Sequence, residues 1–217
     1  MAVDALSPFE VVEAVAKAGV QKGNMSLPKV FFSSVSAGCL LAFACGTVLS
    51  TNATPWFQEN APGLIRTIAA LVFPYGLCMI ILTGADLYGE VFATEPFKSA
   101  VTTFATKKQV TPDFHMIFLR GIGCNWLVCL GCFFGLQGRD LASKIIGIWF
   151  PIFAFVSLGF DHVVANMTFI PLGIWLGTPG INVGLYIWKG IIPTLIGNIL
   201  GGGLFCGMSE VTTVVIL

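Results

Sequence analysis

The 217-residue sequence predicts an all-α integral membrane protein. Apolar residues make up 56% of the chain and charged residues only 10%, and the mean hydropathy is +0.88. A soluble domain of this length has too little interior to bury so much apolar surface. The apolar residues also form uncharged runs close to the ~20 residues that cross a bilayer as a helix. We therefore expect a single membrane domain over residues 1–217 with the lipid bilayer as its main environment.

The first predicted element is an amphipathic helix over residues 7–22. Ser7 occupies an N-cap position, Pro8 the first helical position and Glu10 the third, which is the pattern of a capping box. The apolar side chains that follow recur on one face and the charged ones on the opposite face. Such a helix is expected to lie on the cytoplasmic surface of the membrane.

Five crossings are predicted from the apolar stretches that follow. The stretch from residue 145 is too short to span alone, so it is counted as one broken crossing together with the next stretch. The predicted crossings are 30–58, 67–85, 121–138 with a backward extension to Phe114, the broken pair 145–160 and 163–188, and 190–209.

The composition changes sharply over residues 86–113. This stretch carries seven acidic or basic side chains and is unfit for hydrocarbon. We expect a polar loop at a membrane face, with a short surface helix within residues 90–106, or a place where a membrane segment is missing.

Three polar residues lie in the middle of the broken crossing. Asp161, His162 and Asn166 follow Gly159 within a long apolar region. A charged group at the centre of a membrane helix costs at least about 2.5–3.5 kcal/mol, so such residues are rarely there without a function. The pattern predicts a helix that is broken near mid-membrane and lines a cavity. It indicates a pore or carrier for a small polar solute.

Other function classes find little support in the sequence. The net charge is zero and no basic stripe is present, so no nucleic-acid partner is expected. The seven cysteines lie mostly in apolar runs, where thiols behave as small hydrophobes, and no metal or cofactor is predicted. A membrane haem protein would need paired histidines. The two in the chain, His115 and His162, are expected at different depths, which disfavours that alternative.

Five short motifs occur in an order that is itself informative. They are Pro8-Phe9-Glu10-Val11-Val12-Glu13-Ala14, Thr83-Gly84-Ala85-Asp86-Leu87-Tyr88, Cys124-Asn125-Trp126-Leu127-Val128-Cys129-Leu130, Gly159-Phe160-Asp161-His162-Val163-Val164-Ala165-Asn166-Met167 and Gly197-Asn198-Ile199-Leu200-Gly201-Gly202-Gly203. Together they resemble the formate/nitrite transporter family, and most closely its fungal nitrite-uptake branch. The resemblance covers residues 5–207 with one gap.

The resemblance implies an aquaporin-like helical bundle of six helices, arranged as two inverted three-helix repeats. The second and fifth helices are broken, here at residues 84–88 and 159–166. Subunits are expected to assemble as a homopentamer in the plasma membrane, each multi-pass and each with its own pore. The implied function is permeation of a small monovalent anion or weak acid such as nitrite or formate, with protons as a candidate co-transported species.

The same resemblance assigns roles to individual residues. His162 donates a hydrogen bond or a proton to the anion, Asn166 orients its ring, and Asp161 caps the break. The apolar constrictions are Phe73, Leu77 and Phe155 on the outer side and Leu87, Tyr88 and Val128 on the inner side. Gly197, Asn198, Gly201 and Gly202 serve close helix packing.

Purely structural roles remain open as alternatives for these residues. A membrane histidine can instead bond a backbone group freed by the break. The aromatic residues also fit ordinary core or lipid-facing positions.

The chain departs from the family pattern after the second motif. Only 28 residues separate Asp86 from His115, where the family has a further half-helix and a third spanning helix. Basic residues flank the 121–138 span on both sides, which favours the cytoplasm for both flanks, yet one span cannot connect two cytoplasmic segments. We therefore expect that the third span is missing, which leaves five spans instead of six. The alternative function is a truncated, non-conducting subunit.

Overall fold

The computed structural model describes residues 5–75, 78 and 94–216, and nearly all of these lie in helices. The helices are α1 Pro8–Gly23, α2 Leu27–Asn52, α3 Pro55–Asn60, α4 Pro62–Val72, α5 Phe97–Ala105, α6 Phe114–Gln137, α7 Leu141–Leu158, α8 Val163–Trp175, α9 Val183–Leu185 and α10 Ile192–Ile216. Two π-helical segments, Thr106–Val110 and Tyr186–Ile191, continue α5 and join α9 to α10.

Within the described ranges, four helical stretches are long and apolar enough to cross a membrane. They are Leu27–Asn52, Phe114–Gln137, Leu141–Leu158 and Val183–Phe205. The shorter apolar helices α4 and α8 accompany them. This arrangement agrees with the all-α membrane class. The predicted helix start at Phe114 is confirmed.

Two predicted boundaries in the second half of the chain were wrong. Helix α7 begins at Leu141 because Asp140 caps it, with the carboxylate accepting a hydrogen bond from the Ser143 N–H at 3.0 Å. It is therefore long enough to span alone. Residues 183–188 belong to the last span rather than to the broken crossing. The chain turns before them at Gly177 and Gly180, both of which have positive φ.

The predicted N-terminal helix is confirmed, with its capping box intact. The Ser7 N–H donates to Glu10 Oε2 at 2.7 Å, and the Glu10 N–H donates to Ser7 Oγ. The backbone N–H and hydroxyl of Ser7 lower the pKa of the Glu10 carboxyl. Helix α1 buries Val11 completely and packs against α6 and α10. The Leu6 N–H also bonds to the Gln137 carbonyl at 2.9 Å.

The described part of the predicted polar loop contains the short helix expected within residues 90–106, but this helix also packs into the bundle. Helix α5 and its π-helical continuation bury Val101, Ala105 and Gln109 and pack against α2 and α8. The stretch is amphipathic, so its charges reach outward while one face joins the core. The local charge content that suggested a loop did not reveal this buried face.

Helices α6 and α10 form the most extensive helix pair of the described fold. Their backbones approach closely where Gly121 meets Gly197 and where Gly201 meets the Ile122 carbonyl. A Cβ added to Gly197 would collide with the Phe118 carbonyl oxygen. Small residues allow this approach, which is the usual basis of helix packing in membranes.

Gly197→Ala should therefore destabilise the fold by about 1–3 kcal/mol, because the added methyl group meets rigid backbone. Gly203→Ala is the matched control, since a Cβ at Gly203 has nothing within 4 Å. Thermal unfolding in detergent, followed by circular dichroism, measures both. Equal melting temperatures for the two variants would contradict this packing.

Candidate functional site

The candidate site is the break between α7 and α8. Helix α7 ends at Leu158, and its C-cap residue Gly159 has a φ of 71°, in the left-handed region that favours glycine. The Phe160 N–H closes the end by bonding to the Phe155 carbonyl at 3.0 Å. Helix α8 begins at Val163, so backbone groups of the intervening residues need partners from elsewhere.

His162 caps the new helix. Its Nδ1 accepts a hydrogen bond from the Ala165 N–H at 3.4 Å, and its carbonyl accepts one from the Asn166 N–H at 2.9 Å. Because Nδ1 is the acceptor, the hydrogen-bond network assigns the ring proton to Nε2. The prediction that Asp161 caps the break was wrong, since the cap is His162.

Asp161 is completely buried and forms an ion pair instead. Its Oδ1 lies 3.0 Å from Lys108 Nζ and accepts a hydrogen bond from Asn166 Nδ2 at 3.3 Å. Its Oδ2 lies 3.9 Å from Arg120 Nη1. Asn166 thus bonds Asp161 rather than the His162 ring that it was predicted to orient.

Lys108 was not among the predicted site residues, yet the structure places its ammonium at the break. Besides Asp161, its ammonium donates to the carbonyls of Gly159 at 2.9 Å and Phe160 at 2.8 Å. It therefore satisfies two carbonyls freed by the break and one carboxylate with its three donors. The sequence signal was a basic residue in an otherwise buried helical face, which is visible only once that face is known.

Asn198 joins the break to the rest of the bundle. Its Oδ1 accepts from the Val163 N–H at 2.9 Å, at the start of α8. Its Nδ2 donates to the carbonyls of Gly121 at 2.9 Å and Asp161 at 3.0 Å. The amide thus links α6, α10 and the break, which goes beyond the packing role predicted for it.

The structure brings two predicted constriction residues together, and one of them, Phe155, lies beside His162. The rings of Phe73 and Phe155 are buried and meet edge to face, with centroids 5.6 Å apart. The His162 ring centroid lies 6.3 Å from that of Phe155. Val128 is partly buried against the core. Leu77, Leu87 and Tyr88 lie outside the described residues.

Comparison with known proteins identifies the family. A family model described as formate/nitrite transporter matches residues 9–95 and 88–212. The chain belongs to the formate/nitrite transporter family. It is 30% identical over 260 positions to a probable formate transporter of Methanothermobacter thermautotrophicus, with 92% of this chain and 93% of that protein covered.

Other similar proteins are also formate channels. A formate channel of Bacillus thuringiensis is 28% identical over 246 positions, with 93% of each chain covered. A solved pentameric formate channel with formate bound has a similar fold, with a TM-score of 0.77 at 21% identity, and the match covers 86% of this chain and 96% of that one. These relatives are channels and transporters rather than enzymes, so the membrane redox protein is set aside.

The alignment length also shows that the Methanothermobacter protein has positions that this chain lacks. The alignment with the Methanothermobacter protein runs over 260 positions, 43 more than the 217 residues of the whole chain. At least that many positions of the relative therefore have no counterpart here. The family model matches in two segments that overlap at residues 88–95.

Lys108→Met should destabilise the protein by about 3–5 kcal/mol, because it leaves the buried Asp161 carboxylate without its ammonium. Combining it with Asp161→Asn should recover part of that loss. The exposed Lys107 supplies the control, Lys107→Met, which should leave stability unchanged. Chemical or thermal unfolding in detergent measures all four proteins. A Lys108→Met protein as stable as the parent would rule out this ion pair as a structural element.

Proposed function

We propose that this chain is a subunit of a membrane channel for small monovalent anions and their conjugate weak acids, with formate and nitrite as the first candidates. One observation carries the proposal. The helix break holds His162 beside the apolar Phe73–Phe155 pair with its Nδ1 occupied, which leaves Nε2–H as a hydrogen-bond donor. Formate channels and transporters among the relatives support the solute class.

The apolar pair supports selection against hydrated ions. Bulky hydrophobic side chains at a narrow point exclude ions by dewetting. Removing the hydration shell of an ion costs several kcal/mol even in a relaxed protein, so a bare anion needs polar partners beyond the constriction. The Nε2–H of His162 supplies one such donor, and a protonated weak acid crosses the apolar point more easily than its anion.

The electrostatics of the break also support an anion path. An unpaired Asp161 carboxylate next to His162 would repel an incoming anion. The Lys108 ammonium at 3.0 Å offsets that charge, and two carbonyls at the break are also occupied by the same ammonium. Neutralising these acceptors leaves donors as the groups that a passing anion meets.

The finer features of the family extend this proposal. Val128 together with Leu77, Leu87 and Tyr88 completes the constrictions, Asn166 holds Asp161, and subunits assemble as homopentamers in the plasma membrane. Proton coupling and membership of the fungal nitrite branch belong to the same proposal. The motif resemblance supports them, as does the fold shared with a pentameric formate channel.

His162→Asn tests the role of the imidazole. Asparagine is a favourable N-cap residue, so α8 should remain capped while the imidazole is lost. Uptake of labelled formate into proteoliposomes should fall more than about tenfold, the usual effect of losing a positioned donor.

The control for this test is His115→Gln, which changes the exposed histidine at the start of α6 and should leave uptake unchanged. Parental uptake by a folded His162→Asn protein would remove His162 from the mechanism. The pair is measured in the 217-residue chain and in the extended chain described next.

A second candidate function is a shortened subunit that conducts poorly. The 43 or more unmatched positions of the relative favour it. The division of the family match into two segments that overlap at residues 88–95 also favours it. A missing third span at this place would also explain why basic segments flank the single crossing 121–138 on both sides. It would leave one half of the bundle with an uncovered helix face.

Inserting the unmatched segment of the Methanothermobacter relative between Leu87 and Tyr88 should raise formate uptake at least about tenfold and raise the melting temperature. The physical reason is that a restored helix buries surface that the short chain leaves open. An insertion of equal length rich in glycine and serine is the control. Equal uptake and equal melting temperature for the 217-residue and extended chains would exclude the shortened-subunit hypothesis.

A further inference from the structure

We infer that Arg66 is the cation that attracts the permeating anion at the break and orients it there by binding both of its oxygens. This inference rests on the proposed function and deepens it by naming a specificity residue. Neither composition nor motif pointed to Arg66.

Helices α4 and α7 lie side by side, and two pairs of residues meet across them. Phe73 contacts Phe155, and two turns earlier on the same face of α4 Arg66 reaches Gly159. Arg66 Nη2 lies 2.7 Å from the place that a Cβ on Gly159 would occupy. The guanidinium thus lies over the first residue of the break, three residues before His162.

The other cations near the break are already engaged. The Lys108 ammonium donates to Asp161 and to two carbonyls, and Arg120 lies 3.9 Å from the second oxygen of Asp161. Arg66 is exposed, and the described part of the chain gives it neither an ion pair nor a hydrogen bond. Its five N–H donors are therefore available to a ligand.

A structural role for Arg66 at the break is less well supported. The Gly159 carbonyl there accepts a hydrogen bond from the Lys108 ammonium at 2.9 Å, and the structure shows none to it from Arg66. The lack of a side chain at Gly159 leaves the space that the guanidinium fills. The Arg66 guanidinium thus holds a positive charge at the break without forming a local hydrogen bond there.

The chemistry of the guanidinium defines the solute. Its planar fork bonds two oxygens at once, which matches carboxylates and other planar two-oxygen anions, whereas a single-atom halide makes no such pair. A cation beside an apolar constriction also raises the local anion concentration.

The test compares Arg66→Gln, Arg66→Lys and the parent in proteoliposomes, in the 217-residue and the extended chain. Initial rates of formate uptake are measured at low and high salt, with chloride permeation as the reference. Lys29→Gln is the control, because it removes one positive charge from the exposed first turn of α2. Folding of each variant is checked by its melting temperature.

Arg66→Gln should lower formate uptake roughly tenfold at low salt, and the difference should shrink at about 1 M salt, where charges are screened. Arg66→Lys should keep most of the rate and lose formate-over-chloride preference, since an ammonium has no planar fork. Lys29→Gln should behave as the parent.

Each other outcome overturns a defined claim. If the parent takes up formate and a folded Arg66→Gln variant does so at the same rate at both salt concentrations, the role of Arg66 is overturned. The proposed function then stands. If Arg66→Gln does not fold, an unchanged formate-over-chloride ratio in Arg66→Lys overturns it instead. If no parental chain moves formate or nitrite, the proposed function and this inference both fall.

Discussion

The ion pair between Lys108 and Asp161 is the interaction on which the rest of the site depends. A helix that stops inside an apolar environment frees backbone groups that water cannot satisfy, and each unsatisfied group is costly. Here one ammonium bonds two of those carbonyls and neutralises the buried carboxylate. The arrangement lowers the free-energy cost of the helix break in hydrocarbon while leaving His162 available for a solute.

The position of that break is set by the close packing of α6 and α10. Glycines bring the two backbones together, and the amide of Asn198 then reaches from α10 to the Gly121 carbonyl and to both sides of the break. A buried amide with its oxygen and nitrogen both satisfied rigidifies what it connects. Helix packing and site geometry are therefore coupled through the Asn198 side chain.

Charge is distributed around the break in a way that suits an anion. The acidic group is buried and paired, while the His162 ring lies beside Phe155 and the Arg66 guanidinium lies against Gly159. Apolar side chains and unpaired donors lie within a few residues of each other, so desolvation and compensation occur at adjacent points. This combination follows from where the helices end as much as from which residues are present.

The sequence by itself determined the features that depend on near neighbours. Composition and run length predicted membrane helices, and the capping box of Ser7 and Glu10 predicted α1, because its partners lie three residues apart. The Gly159–Asn166 motif located the break. These signals are local, so no knowledge of the fold was needed to use them.

Only the tertiary structure decided which side chains meet. Lys108 and Asp161 are 53 residues apart, and Asn198 and Gly121 are 77 apart. The family resemblance implied that Asp161 caps the break and that Asn166 orients the His162 ring. Packing reversed both, because a buried carboxylate must find its cation, and the one that reaches it comes from a segment predicted to be a loop. Long-range electrostatic pairing is decided by how helices stack, which local pattern does not encode.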